Sequence, residues 1–315
     1  MAKEKWNISS FRLCQEAAIN AAMDNRDIVV VMPTGGGKSL IYQLPGLITK
    51  GTTVVVTPLL SLMDDQVYNL RAIGVSAEML NGTTTQDEVR AIQHRLAGTK
   101  PKDKVKAEQF DNHNPGMIKL LYVTPEKVDQ SKTFMNTLQQ MYDGGLLARI
   151  VIDEAHCVSQ LGHDYRPSYR QLGKFKSLFP NVPILALTAT APQQVIGDMT
   201  KSLGMSPALC SGSHATPDST ILFTAPLYRP NLRYSFVTKP SSTPMHVQSM
   251  VEHITTRFPN QSGLVYCLSR SDTEAVANGI NNFANGKVRA AIYHAGISDV
   301  SLKRTISTLF PTIWC

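Results

Sequence analysis

The sequence predicts an α/β protein, a parallel β-sheet covered by helices. Three observations carry that expectation. Between residues 27 and 204, short apolar runs at 27–32, 52–57, 75–80, 117–123, 148–153 and 183–189 alternate with amphipathic helical stretches. The runs are rich in Val, Ile and Leu without polar alternation, the pattern of strands buried on both faces. Two of them feed short segments of unusual composition, Met32-Pro-Thr-Gly-Gly-Gly-Lys-Ser39 and Val151-Ile-Asp-Glu-Ala-His156. In such a sheet both segments fall at the C-terminal ends of the strands, where ligands gather.

In chain order, the first run leads into a turn of Thr34, Gly35, Gly36 and Gly37 and then a helix. That geometry presents backbone N–H groups and a helix N-terminus to an anion. Lys38 is expected along the β- and γ-phosphates of a nucleoside triphosphate, and the Ser39 hydroxyl on Mg²⁺. The usual phosphate-loop pattern opens with glycine; here Met32 stands in that place. Further helices follow Pro58, Thr85, Pro125, Tyr169 and Pro192. The helix 58–73 carries Leu59, Leu62, Met63, Val67 and Leu70, an apolar face expected to pack on the sheet. The junctions Thr57-Pro58 and Thr124-Pro125 leave free N–H groups at helix starts, suited to a phosphate backbone. At the end of the fifth run, Asp153 supplies a second metal contact, and Glu154 a base that orients and deprotonates the attacking water. The hydroxyls of Thr188 and Thr190 end the sixth run and are placed to relay between the γ-phosphate and a bound strand. Taken together, the two segments form a site for hydrolysis of a nucleoside triphosphate.

Residues 98–116 break the rhythm and read as a basic, mobile surface insert. A second break, 205–220, is rich in Ser, Pro, Gly and Thr. The expected organisation is a nucleotide-binding domain over 1–205, a linker over 206–225 and part of a second α/β domain over 226–315. That second part should hold strands 232–238, 263–268 and 288–294 and helices 245–257 and 272–283; three strands make a poor independent sheet. The 315 residues are 43% apolar, enough for real cores, and contain no apolar run of membrane-spanning length. The N-terminus lacks the apolar core of a signal peptide. Five scattered cysteines, odd in number and without a C-x-x-C pair, fit a reducing compartment and offer no structural zinc. A formal net charge of +7 favours a polyanionic partner.

In their order, these segments resemble a superfamily-two helicase core, and the details resemble the RecQ family. Asp153-Glu-Ala-His-Cys-Val-Ser-Gln-Leu-Gly-His-Asp-Tyr-Arg-Pro-Ser-Tyr169 is similar to that family's DEAH box and aromatic-rich loop. Phe11-Arg-Leu-Cys-Gln15 is similar to its adenine-reading motif, with Arg12 and Gln15 as nucleotide contacts. Arg229-Pro-Asn-Leu232, Gly263–Arg270 and Ala291–Gly296 are similar to the family's entry into a second RecA-like domain. The resemblance implies an incomplete pair of RecA-like domains, ATP and Mg²⁺ as cofactors, and 3′–5′ movement on single-stranded or 3′-tailed DNA. It also implies work in the nucleus, in DNA repair and recombination. On this chain it assigns DNA contact to His163, Asp164, Tyr165 and Arg166, and gives His156 the passage of a signal from the metal site.

Two departures qualify the expectation. Leu161 stands where the family usually carries Trp, and after Arg304 the chain runs to Cys315 without the family's arginine motif. A C-terminally truncated helicase is therefore the leading expectation, with transition-state stabilisation short of roughly 10³–10⁵ in rate. A module that holds ATP and DNA without unwinding, and an RNA-directed DEAH-box ATPase, remain the alternatives.

Overall fold

The computed structural model describes residues 1–82, 84–97, 117–161, 164–210, 216, 218–240, 242–294 and 296. The chain divides into a unit from Met1 to Tyr228 and a second unit from Arg229 onward. The basic insert expected at 98–116, His163 and the tail from 297 lie outside the described residues.

The first unit is an α/β layered fold of the RecA-like type around one sheet. Its strands are β1 (Ile28–Val31), β2 (Thr52–Val56), β3 (Ala77–Leu80), β4 (Leu120–Val123), β5 (Leu147–Ile152), β6 (Ile184–Thr188), β7 (Ala208–Cys210) and β8 (Thr220–Thr224). They lie in the order β3-β4-β2-β5-β6-β1-β8-β7, every neighbouring pair parallel.

Successive residues of each strand enter two different cores. Val29, Val31, Val54, Val56, Ile150 and Ile152 face one side. Ile28, Val30, Val55, Val151, Leu185 and Leu187 face the other. Side chains alternate across a strand, so a sheet covered on both faces buries nearly every position in its middle, and the few polar residues there, such as Thr52 and Arg149, must find partners. Each fully buried Val or Ile adds roughly 1.5–3 kcal/mol of transfer free energy.

On the first side pack α5 (Gln86–Leu96), α6 (Pro125–Gln130), α7 (Lys132–Asp143), α8 (Pro167–Arg170), α9 (Lys174–Leu178) and α10 (Gln193–Ser202). On the second pack α2 (Gln15–Met23), α3 (Lys38–Ile48) and α4 (Leu60–Ala72), with α1 (Ala2–Trp6) at the margin. Along α4, Met63, Val67 and Leu70 are buried as expected, whereas Leu59 precedes the helix as its cap and is exposed. Helix α7 buries Phe134, Thr137, Leu138 and Met141, a 3.6-residue stripe.

The stretch 206–225, expected as a linker, instead holds β7 and β8. The Ile221 N–H donates to Asp27 O and the Ala225 N–H to Val31 O, each at 2.9 Å. Leu222 and Phe223 are buried. Pairing of β8 with β1, and of the three-residue β7 with β8, supplies the backbone partners that so short a run cannot announce by itself.

In the second unit, α11 (Thr243–Arg257) and α12 (Arg270–Phe283) pack through Val247, Val251, Ile280 and Ala284. Gly279 permits the close approach, because a Cβ there would lie 2.9 Å from Val247 Cγ1. The three strands expected in this unit do not form among the described residues. Phe236 and Leu268 stand fully exposed in two of those segments. The third is held by a side chain: Asn281 accepts from the Ala290 N–H and donates to Ala290 O, both at 2.9 Å. An extended segment becomes a strand only through a ladder partner.

One ion pair joins distant parts of the first unit. Asp27, just before β1, accepts from Lys176 Nζ at 2.8 Å and from the Ile184 N–H at 2.8 Å, where β6 begins. Asp27→Ala leaves that N–H without its acceptor and the lysine with only Val182 O, at 3.3 Å. It is expected to lower the unfolding free energy by roughly 2–3 kcal/mol. Urea denaturation checks this: the midpoint should fall while the slope stays unchanged.

Candidate functional site

Strands β5, β6 and β1 are adjacent, and their C-terminal ends bring the two sequence segments together. The Met32 N–H donates to Thr188 O at 3.0 Å, so the start of the glycine-rich loop is a direct extension of the β1–β6 ladder. Met32 is fully buried, and its side chain fills the space above Gly36. A Cβ on Gly36 would lie 2.7 Å from Met32 Cγ and 2.9 Å from Pro33 O. The Pro33 carbonyl is backbone and cannot swing aside, so glycine is needed at 36, and the Met32 side chain tightens the space further. Gly37 caps α3 with φ +86°, and a Cβ there would meet Gln15 Nε2 at 2.4 Å. Thr34 and Gly35 are exposed on the loop. The resulting cradle is open at the N-terminus of α3, beside Lys38 and Ser39. Lys38 Nζ donates to Met32 O at 3.1 Å and so rests folded across the loop.

Gln15, the first residue of α2, is 4% exposed. Its Oε1 accepts from the Arg12 N–H at 2.8 Å, and its Nε2 donates to Gly37 O at 3.0 Å. The amide expected to face adenine therefore also ties the phosphate loop to the segment before α2, while Arg12 is exposed beside it. An amide oxygen has two lone pairs, so Oε1 keeps one acceptor position. Nothing in the motif spacing announced this second task. The other end of α2 is pinned too. Arg149, a fully buried residue of β5, donates from Nη2 to Ala22 O at 2.9 Å, serving an end carbonyl of the helix. Burial depresses the Arg149 guanidinium to about 10.

Asp153 follows β5, and its N–H continues the ladder to Val56 O at 2.9 Å. Its Oδ1 accepts the Glu154 N–H at 3.0 Å. Burial pushes its carboxyl up to about 6, and the neighbouring Glu154 adds to the rise; the Lys38 charge pulls the other way. Glu154 occupies the left-handed region at φ 48°, a conformation that costs a non-glycine residue about 1–2 kcal/mol. The turn brings its carboxylate to 3.4 Å from His156 Nδ1.

His156 Nδ1 lies 2.8 Å from Thr188 Oγ1. That hydroxyl donates to Thr190 O at 3.1 Å, which assigns the ring proton to Nδ1. His156 Nε2 is 3.7 Å from Asp164 Oδ2. One imidazole thus touches the carboxylate after β5, the hydroxyl ending β6 and the loop beyond. The buried Tyr169 hydroxyl donates to Asp153 O at 2.9 Å, fixing the acidic turn from the far end of that loop. Tyr165 is half-buried and Arg166 exposed on the same loop.

The two Thr-Pro junctions differ. Thr124 caps α6, its hydroxyl accepting from the Lys127 N–H at 3.3 Å, with Pro125 in the first turn. Thr57 instead prolongs β2, its N–H donating to Val123 O at 3.1 Å, and its hydroxyl lies beside Asp153.

Comparison with known proteins follows the same lines. The family described as DEAD/DEAH box helicase matches residues 12–199. ATP-dependent DNA helicase Q1 of Rattus norvegicus is 39% identical over 295 residues, covering 94% of this chain and 43% of the relative. RecQ-like DNA helicase BLM of Xenopus laevis is 40% identical over 297 residues, covering 94% of this chain and 19% of that protein. The chain therefore spans about two-fifths of the length of the Q1 relative. Among solved structures, DUF1998 helicase MrfA bound to DNA superposes with a TM-score of 0.65 at 16% identity, over 96% of this chain and 41% of that one. That likeness concerns the fold.

The raised Asp153 carboxyl has a consequence for stability. An acid that binds its proton more tightly folded than unfolded favours the folded chain at low pH. The advantage is lost as pH rises from the ordinary aspartate range through about 6. Without a cation, Asp153→Asn should therefore stabilise the chain at pH 7.5 by roughly 2–3 kcal/mol, the gain vanishing near pH 4. Thermal unfolding in chelator across that range checks the sign; a gain independent of pH would refute it.

Proposed function

Because the chain belongs to the DEAD/DEAH box helicase family, in its RecQ branch, we propose that it is the ATP-driven motor region of a RecQ-type DNA helicase acting 3′ to 5′. The observation that carries this reading is the meeting of phosphate loop, acidic turn and Thr188 at the ends of three adjacent strands. Its nuclear setting and its part in DNA repair and recombination belong to the same proposal.

The residues fit Mg·ATP. The Gly35–Gly37 cradle offers N–H donors and no Cβ, while Lys38 is a cation resting on a carbonyl that phosphate oxygens would replace. Ser39 and Asp153 are the groups to hold Mg²⁺, which when bound neutralises charge on the β- and γ-phosphate oxygens. Glu154 accepts the proton of the attacking water, and its strained backbone holds the carboxylate forward. His156 is hydrogen-bonded to Thr188 and lies 3.4 Å from the Glu154 and 3.7 Å from the Asp164 carboxylate, which sets hydrolysis beside the loop that carries Tyr165 and Arg166. His163 completes the DNA-facing assignment from the sequence. Tyr165 supplies a ring for base stacking and Arg166 a cation for phosphate. Gln15 both reads the adenine edge and steadies the phosphate loop, and Arg12 neighbours it.

Binding experiments test the nucleotide and DNA readings separately. Lys38→Ala should abolish Mg·ATP binding by calorimetry. Gln15→Ala should weaken ATP about tenfold and GTP by a smaller factor, since it removes adenine contact and a loop tether together; equal loss would remove the adenine-reading role. Fluorescence anisotropy should give an affinity for single-stranded DNA that falls with salt through counterion release. A salt-independent affinity, or preference for RNA of the same sequence, would reject the DNA assignment. Polarity is read in a chain extended by a family-like second domain, on a 3′-tailed against a 5′-tailed duplex, with only the first unwound.

A further inference from the structure

A buried hydroxyl fastens the loop that leaves the acidic turn to α10. Ser159 is fully buried, and both capacities of its Oγ are used. The hydroxyl donates to Asp198 Oδ2 at 2.6 Å and accepts the Leu161 N–H at 3.2 Å. A hydroxyl bonded to a carboxylate at that distance is among the stronger neutral–ionic pairs. The same short stretch is held by the Ser159 N–H on His156 O at 3.2 Å and by the Arg166 N–H on Cys157 O at 3.1 Å.

Asp198 stands on the solvent-leaning side of α10, whose opposite face buries Val195, Ile196 and Met199. The helix follows directly on Thr188-Ala-Thr190, and Thr188 takes His156 at its hydroxyl. Two bonds therefore run in parallel between the acidic turn with its loop and the β6–α10 segment. His156–Thr188 lies at the catalytic edge, and Ser159–Asp198 lies further out. The first touches groups assigned to hydrolysis. The second touches none of them, yet it holds the Leu161 N–H at the start of the loop.

We propose that Asp198 is a positioning residue: through Ser159 it fixes the start of the DNA-facing loop relative to α10, so that occupancy of that loop is felt at His156. This rests on the reading of residues 164–166 as DNA-facing. A fixed acceptor oxygen is required because a buried serine hydroxyl that must also accept Leu161 N–H needs a partner for its own proton, and the carboxylate supplies the stronger one. Removing the acceptor frees the hydroxyl to turn and releases the first turn of the loop. Lys38, Ser39 and Asp153 do not bond to Asp198 or Ser159, so their part in nucleotide binding stays intact.

The test compares Asp198→Ala, Ser159→Ala and Asp198→Asn in the full chain. Mg·ATP affinity is read by calorimetry, and single-stranded DNA affinity by anisotropy with and without a non-hydrolysable ATP analogue. Both alanine variants should bind nucleotide within about twofold of the parent. Their DNA affinity should fall about tenfold, and the analogue should no longer alter it. Asparagine, which keeps an acceptor oxygen, should restore most of both properties, and the double alanine variant should be no worse than either single one. Loss of nucleotide and DNA affinity together would mark the pair as a general structural bond and overturn the proposal. Unchanged DNA affinity in Asp198→Ala would overturn it as well. A parent chain that binds no single-stranded DNA would instead remove the DNA reading on which the proposal stands, a result distinguishable from the other two.

Discussion

Backbone pairing of three adjacent parallel strands sets the separation on which everything else depends. β5 carries the acidic turn, β1 carries the phosphate loop, and β6 lies between them. Hydrogen-bonded strands stand about 4.8 Å apart, so the turn and the loop face one another across a fixed gap of two strand spacings. The ladders continue past the strand ends, through Met32 N–H to Thr188 O and Asp153 N–H to Val56 O. No side chain has to bring the two motifs together. Side chains only fill the gap, and His156 with Thr188 does so above the middle strand.

The double burial of the sheet explains both the placement of the chemistry and how much of it was readable. Apolar residues occupy most interior strand positions, with Thr52, Thr53 and Arg149 among the buried exceptions, so polar function gathers at the ends. There it interrupts an otherwise uniform pattern, and that interruption is what made Lys38, Ser39, Asp153 and Glu154 visible in the sequence. The same pattern located β1 to β6. It did not locate β7 and β8, whose short apolar runs are embedded in a stretch rich in Ser, Pro, Gly and Thr. Their strand character comes from pairing: β1 offers an edge to β8, and β8 in turn offers one to β7. The segments around Phe236 and Leu268 are the converse case: strand-like composition, with no partner among the described residues.

Other features were hidden because they depend on relations between distant residues. The helical stripe Phe134, Thr137, Leu138, Met141 was present at proper spacing and could have been read. The task of Gln15 at the phosphate loop could not, since it joins an amide to carbonyls more than twenty residues away. Nor could the bond from Tyr169 to Asp153 O, or the strained φ of Glu154. Leu59 carried the wrong expectation because the helix begins one residue later than its apolar periodicity suggested.

Helix α2 is anchored at both extremities, by Gln15 on the phosphate loop and by Arg149, a residue of the strand that leads to Asp153, on Ala22 O. The helix is thereby a strut between the two halves of the nucleotide site. A flap that closes over a base must surrender conformational freedom at the moment of binding, and that loss subtracts from affinity. A strut has surrendered it during folding. If the base rests against α2 as proposed, its wall is already ordered, and discrimination among bases draws on contact energy alone.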